Sequence, residues 1–448
     1  MSVLRDLAAF VCGASVSSLP EAERAIQRRH AADTLLAAAV GAWTGEGREL
    51  RYVMSAGSLA DAIGMQAAVI RHTEIDDIHT PSCTTPSSVT VPAAFALAHA
   101  GKISDPEHVA SALWVGTELL VRLGVAIDGA RVLYRGVWPT YFCAPLAAAA
   151  IAARIGKLSE DATAHALSLA LMRTAGRSGR FHGRIPGRSV ILGMAVADGV
   201  RAAQAARQGV GGDPDLLDGP WLRDAHGLTS DPKTLTTDLG RGSIYAQLSL
   251  KPFCSAKQAV AATEALMTVI DGGVAPDTID KVTVRVPPPY ARMIATKPEA
   301  GARSSTIVSA AYQLGLAAFK RERLYDIERA SAMQEMAVLA LAGKVEVVPD
   351  ESLLPDFPAH FPAEIEVAAK GTTHRKRVVA AYGDPSRPLD DAALRDKANR
   401  IFTKAGGTRA GSDLIALGLA ALKDRESCKA VAKAFASTPA AVEMLFAQ

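Results

Sequence analysis

Cysteine is scarce and scattered. Cys12, Cys83, Cys143, Cys254 and Cys428 are odd in number and form no CxxC or Cys/His ligand spacing. That pattern argues against a disulfide framework and against a zinc site. Free thiols fit a reducing, cytoplasmic compartment. Charge of one sign is also lacking: the net formal charge is +3 over 448 residues, so no basic field points to nucleic acid. No apolar run reaches the roughly 18–20 residues that span a bilayer, and no membrane partner is expected. The N-terminus carries an acid early, at Asp6, and reads as an amphipathic helix rather than a signal peptide. There is no GxGxxG after a strand, no P-loop and no HExxH. No cofactor and no metal is therefore indicated. Repeats of 20–50 residues and low-complexity tails are missing as well.

What is present is apolar and rich in alanine. The chain is 49% hydrophobic and 21% charged, a globular composition with ample material for a core. Its length allows roughly two to four domains. Residues 1 to about 270 read as helix after helix. Pro20 to Trp43 opens on a proline and places Ala32, Leu35, Leu36 and Val40 at helical spacing. Leu59 to His72, Val89 to Ala100, Asp105 to Leu123, Trp138 to Ile155, Ser159 to Met172, Gly187 to Gln208 and Cys254 to Ile270 repeat the pattern. Their alanines favour helix and let helices approach closely.

Near residue 279 the period changes. Ile279 to Val286 alternates at period two and stops at three prolines. Helices at Thr306 to Phe319 and Ile327 to Leu341 follow, then a short strand at Val345 to Val348. Ala363 to Ala369 and Thr373 to Ala381, split by Lys370-Gly371-Thr372, read as a hairpin. After Pro388 the chain returns to helices at Asp391 to Thr403, Ser412 to Lys423 and a last one reaching Phe446. The expected fold is mainly α. A large all-helical domain (1–274 and 386–448) carries a smaller α+β lid domain (275–385) inserted before the C-terminal helices.

Polar groups concentrate between two apolar helices, from Arg71 to Ser88. Glu74, Asp76, Asp77, His72 and His79 fall within eight residues, followed by a Pro/Ser/Thr loop. Two readings of this stretch stand side by side. One is a functional cluster at the mouth between buried helices. The other is a solvated loop whose Asp and Ser residues cap helix ends.

Further blocks line up along the chain. They are Asp76-Asp77 with Pro86-Ser87, Arg135-Gly136-Val137-Trp138-Pro139-Thr140, and Pro186-Gly187-Arg188 with Gly193. Gly219-Pro220, Lys251-Pro252-Phe253, Ser309 to Leu314 and Gly383 to Leu389 follow. In that order they resemble the MmgE/PrpD family of 2-methylcitrate dehydratase, cis-aconitate decarboxylase and iminodisuccinate epimerase, over nearly the whole chain. The resemblance implies an all-helical domain with an α+β lid and a homodimer. It also implies cofactor-free chemistry on small polycarboxylates in a cleft between the domains.

The catalytic positions match less closely than the scaffold. The family's first motif resembles Asp-Phe-Asp-Asp-Thr, a spacer and His-Pro-Ser. This chain has Glu74-Ile75-Asp76-Asp77-Ile78, a longer spacer containing His79, and Thr85-Pro86-Ser87. In the second, Gly-Phe-His-Pro-Thr, the His position holds Trp138, ahead of Pro139 and Thr140. In the third, Lys-x-x-His-x-Gly, the Lys falls on His182, the His on Ile185 and the Gly on Gly187. Lys251-Pro252-Phe253 keeps the Lys-Pro-Tyr block, and Lys257 stands near the place of a family His.

Reactions of this type need a base for a proton α to a carboxylate. They also need cations for the developing enolate, and an acid for the leaving hydroxyl or the carbanion. The residues expected to share this chemistry are Glu74, Asp77, His182 and Lys251. Expected to bind substrate are Asp76, His79, Thr85, Trp138, Thr140, Arg184, Lys257 and Tyr312. His182 and Arg184 lie in a Gly/Arg loop ahead of a helix start, where anions bind. Trp138 favours a carboxylic acid with an apolar or ring portion over a tricarboxylate. The expected activity is that of a cofactor-independent lyase or isomerase. The alternative is a catalytically degenerate scaffold that binds a carboxylate or a partner protein.

Overall fold

The computed structural model describes residues 2–54, 57–174, 176, 187–329, 332–403 and 408–436. Two compact units emerge, one of Met1–Leu248 with Arg409–Gln448, the other of Ser249–Thr408. The fold is mainly α with one small mixed sheet.

The first unit is helical. Its main helices are Val3–Gly13, Glu21–Trp43, Leu59–His72, Ser87–Ala100, Pro106–Ala126, Pro139–Ile155, Glu160–Leu171 and Gly187–Arg207. Their starts follow from capping. Ser58 Oγ accepts the Asp61 amide at 3.2 Å, and Asp105 Oδ1 accepts the Glu107 amide at 3.1 Å just before Pro106. Leu59–His72 and Gly187–Arg207 cross where Gly64 meets Gly193. A Cβ on Gly64 would sit 2.2 Å from the Gly193 carbonyl oxygen, and one on Gly193 2.6 Å from that of Gly64. Only two glycines allow that approach. The C-terminal Arg425–Ala436 helix packs on Ser87–Ala100, with Phe95 and Phe435 stacked at 6.0 Å. The rest of the helix expected to reach Phe446 lies outside the described residues.

One expectation fails here. Pro106–Ala126 is long and apolar enough to cross a membrane by length and composition. However, 89% of its apolar window is buried within the protein, the position of a core helix, and the Glu118–Arg122 ion pair (2.8 Å) sits on it. Sequence reading also passed over the short Gly45–Val53 helix.

The second unit holds a four-stranded sheet of β1 (Ile279–Val286), β2 (Val345–Pro349), β3 (Ala363–Ala369) and β4 (Thr372–Val378), in the order β2-β1-β3-β4. β1 pairs parallel with β2 and antiparallel with β3, and β3 pairs antiparallel with β4. Alternation buries Val282, Val284 and Val286 on β1 and Ile365 and Val367 on β3. Lys370 and Gly371, both at positive φ (49° and 74°), form the two-residue hairpin turn. Lys257–Asp271 lies against β3 and β4. Asp391–Thr403 brings Arg400 5.2 Å over the Tyr325 ring. Both helices fall within the unit Ser249–Thr408. A half-apolar sheet needs a cover, and helix periodicity does not say which layer a helix covers. The helix expected at Thr306 to Phe319 is two, Arg303–Val308 and Ala310–Phe319, broken at Ser309, whose Oγ accepts the Tyr312 amide at 3.3 Å. The helix expected at Ile327 to Leu341 is confined to Met336–Ala342 after a short 3-10 turn.

Candidate active site

The stretch from Thr73 to Ser88 is not a solvated loop. Thr73, Glu74, Asp76, Asp77, His79, Thr80, Ser82, Thr84, Thr85, Ser87 and Ser88 are all buried. Thr73 turns its hydroxyl back onto the Ile70 carbonyl at 2.7 Å. Glu74 then adopts a left-handed φ of 61°, uncommon for a residue with a side chain. His79 and Thr84 pair as a bridge, with amide–carbonyl bonds of 2.8 and 3.3 Å. The chain enters the next helix at Ser87. Polar groups buried this deeply must be paired.

Glu74 is held by two arginines. Arg71 Nη1 lies 2.9 Å from Oε2, and Arg188 Nη2 lies 2.7 Å from Oε1. Arg71 Nη1 also reaches Asp76 Oδ1 at 3.2 Å. Two guanidiniums thus face two carboxylates. Burial works against the Arg71 charge, but Asp76 and Glu74 outweigh it and hold the guanidinium above its ordinary range. The Arg188 guanidinium also lies 5.4 Å over the Trp138 ring, a cation–π distance. Trp138 stacks in parallel on Tyr141, with centroids 5.5 Å apart and planes 9° apart. These residues fall in the first turn of Pro139–Ile155, where Trp138 is the N-cap. Tyr141 is buried, and among the described residues its hydroxyl has no hydrogen-bond partner. Burial pushes the phenol above its ordinary value, against the pull of Arg188 and Arg71.

Asp77 faces other partners than its neighbour. Its Oδ2 lies 2.8 Å from His30 Nδ1 and 2.5 Å from the Ser87 hydroxyl, and its Oδ1 accepts the Ser87 amide at 3.1 Å. Asp77 thereby orients a buried histidine and caps the Ser87–Ala100 helix. His79 accepts the Ser82 amide on Nδ1 at 3.2 Å, which leaves the proton on Nε2, 3.4 Å from Gln247 Oε1. Burial lowers its pKa to about 4, so His79 is neutral at pH 7. Thr85 donates its amide to the Thr140 hydroxyl at 2.9 Å, and the two hydroxyls are 3.2 Å apart. The first unit thus gathers Glu74, Asp76 and Trp138, and separately pairs Thr85 with Thr140.

In the second unit, Lys251 and Lys257 are both buried. The Lys257 ammonium pairs with Asp384 Oδ1, which also accepts the Ser249 hydroxyl at 2.9 Å. Asp384 Oδ2 accepts the Ala381 amide at 2.9 Å. The pair therefore ties the start of a helix to the 381–387 turn. Tyr312 is buried on Ala310–Phe319, and burial raises its phenol pKa. His182 and Arg184 lie outside the described residues. Among the described residues, no group of three or more His, Cys, Asp or Glu could hold a metal ion. Cys143 and Cys254 are buried free thiols, and burial pushes the Cys143 thiol well up.

Sequence reasoning missed Arg188, Tyr141 and His30 as members of these clusters. Tyr141 carried a local signal, since it stands three residues after Trp138 on a helix. Arg188 stood in the Pro186-Gly187-Arg188 block but with nothing to tie it to Glu74, 114 residues away, and His30, 47 residues from Asp77, carried no signal.

Comparison with known proteins agrees with this architecture. The MmgE/PrpD N-terminal domain matches residues 5–234, and the MmgE/PrpD C-terminal domain matches residues 253–417. The chain is 30% identical to the cis-aconitate decarboxylase-like protein oryM of Aspergillus oryzae over 194 residues, 40% of this chain and 39% of that protein. The aligned stretch thus spans well under half of that relative.

Proposed function

The chain belongs to the MmgE/PrpD family, and from that premise we propose that it is a cofactor-independent lyase or isomerase. Its reaction begins with abstraction of a proton α to a carboxylate of a small acid. The coarse type is that of the dehydratases and decarboxylases. The substrate proposed differs from 2-methylcitrate and cis-aconitate. The observation that carries this choice is the Trp138–Tyr141 stack under Arg188, three residues of which none is a free acid or an imidazole. A flat aromatic wall with a guanidinium over it suits an acid bearing an apolar or ring portion.

In this reading the proton is taken from carbon by Lys251 or His182, the residues at these positions whose side chains carry a basic nitrogen. Glu74 and Asp77 act on charge and position, because both are already bound by cations or hydrogen-bond donors. Charge that develops on the enolate oxygen needs a donor aimed at it. A homodimer and a reducing compartment are further parts of the proposal. They are supported by the family resemblance and by five free cysteines.

A second reading has its own support. Glu74, Asp76 and Asp77 all have internal partners, and His79 has a pKa near 4. That is also the state of a scaffold that binds a carboxylate without turning it over. Proton NMR in D₂O separates the two. The protein is incubated with di- and tricarboxylates and with bulkier, partly apolar acids. Loss of a Cα–H signal, or a new alkene signal, is expected for at least one acid and should vanish in Lys251→Ala or in His182→Ala, whichever residue is the base. Line broadening without exchange across the panel would favour the binding scaffold.

A further inference from the structure

Among the described residues, Tyr141 holds a buried hydroxyl with no hydrogen-bond partner, beside guanidiniums and carboxylates that pair with one another. The side chain is 1% exposed, and among the described residues its hydroxyl oxygen has no hydrogen-bond partner. Such groups are rare, because an unpaired buried hydroxyl loses its water and gains nothing in return. Phenylalanine would keep the parallel stack on Trp138 and remove that cost. The hydroxyl therefore makes the fold less stable than it needs to be. Stability is given up in this way at sites that serve a ligand.

The surroundings say what kind of ligand. Arg188, Arg71, Glu74 and Asp76 all act electrostatically on the phenol. The guanidiniums are bound by the carboxylates, whereas among the described residues the phenol hydroxyl has no hydrogen-bond partner. Burial keeps it protonated, so it offers a neutral O–H. A neutral donor that is preorganised and dry suits an oxygen that gains negative charge during reaction. We propose that the Tyr141 hydroxyl contacts substrate, donating a hydrogen bond to a carboxylate or enolate oxygen of an acid whose apolar part lies on Trp138. This assignment deepens the reading of the preceding subsection and rests on it.

The test is Tyr141→Phe in the full chain, with three readouts. They are the urea midpoint, the affinity for phenylsuccinate (a probe with two carboxylates and a ring) and exchange of the acids in D₂O. The midpoint is expected at or above the wild-type value. Affinity for phenylsuccinate, and the rate on any exchanged acid, should fall by about 10- to 100-fold, the loss typical of a hydrogen bond to a charged oxygen. A clear drop in the midpoint would show that the hydroxyl serves the fold, and would overturn the proposal. Unchanged affinity and rate would overturn it too, while leaving the proposed chemistry intact. If wild type binds phenylsuccinate but exchanges no acid, the enzyme reading falls, and weaker binding by the variant still upholds Tyr141. If wild type neither binds the probe nor exchanges any acid, the assignment falls with it.

Discussion

Arg188 places Nη2 2.7 Å from Oε1 of Glu74, joining residues 114 apart in the chain. Glu74 stands just beyond the end of Leu59–His72, and Arg188 lies in the first turn of Gly187–Arg207. The same two helices meet at Gly64 and Gly193, so they run antiparallel. The glycine contact sets their distance, and the ion pair fixes their ends. Because Arg188 also lies over Trp138, this one contact links the acid loop, the helix crossing and the aromatic wall.

Loss of the Glu74 carboxylate should be costly. Glu74→Ala leaves two largely buried guanidiniums with Asp76 as the remaining carboxylate of the cluster. Breaking a buried pair by removing one partner costs about 3–5 kcal/mol. Urea denaturation of the variant should show a loss of that size. A loss under about 1 kcal/mol, the range of exposed pairs, would mean that water reaches this network.

His79 should make stability fall in mild acid. Its folded pKa is about 4, lowered by burial from an ordinary 6.5. Between those values the unfolded chain binds the proton more tightly than the folded one. The contribution is therefore fully present above pH 6.5 and is lost as pH falls toward 4. Integrated over that window, it is about 3 kcal/mol. His79→Gln should flatten the stability–pH curve between pH 6.5 and 4. A variant with the same slope as wild type would assign the acid sensitivity elsewhere.

The Lys257–Asp384 pair offers a second test of buried charge. Both side chains are 1% exposed. Asp384→Ala strands the ammonium and should destabilise by about 3–5 kcal/mol, whereas Lys257→Met combined with Asp384→Leu should recover much of the loss. A double-mutant cycle on thermal unfolding measures the coupling. Additive single losses would show that the two charges are independent.

Gly383 should accept no side chain. Its φ is 94°, and a Cβ would sit 2.0 Å from the Leu250 carbonyl oxygen. The amide of Leu250 donates to the Gly383 carbonyl at 2.9 Å, and the amide of Gly383 to the Arg387 carbonyl at 2.8 Å, so neither strand of this contact can move away cheaply. Gly383→Ala should cost more than about 3 kcal/mol. Calorimetry that finds a change below 1 kcal/mol, the scale of an ordinary Gly-to-Ala substitution, would contradict the backbone described here.

Much of the scaffold was legible because it is written in local periodicity. Alanine-rich runs at helical spacing gave Leu59–His72 to the residue and Pro139–Ile155 to within one. Alternation gave β1, and Lys370-Gly371 gave the hairpin. The ordered blocks carried the family itself. These signals act over a few residues, where backbone geometry and burial of one face decide the outcome.

The tertiary structure alone decided what the acids do. Asp76 and Asp77 are neighbours in sequence, yet one faces Arg71 and the other His30 and Ser87. Adjacent side chains diverge, and their partners come from 5, 47 and 10 residues away. Lys257 finds Asp384 across 127 residues. Coulomb attraction and the cost of an unpaired buried charge fix such partners only after packing has brought the elements together. Composition and spacing supply the charges. The fold determines which of them are spent on each other, and among the described residues it leaves the Tyr141 hydroxyl unmatched.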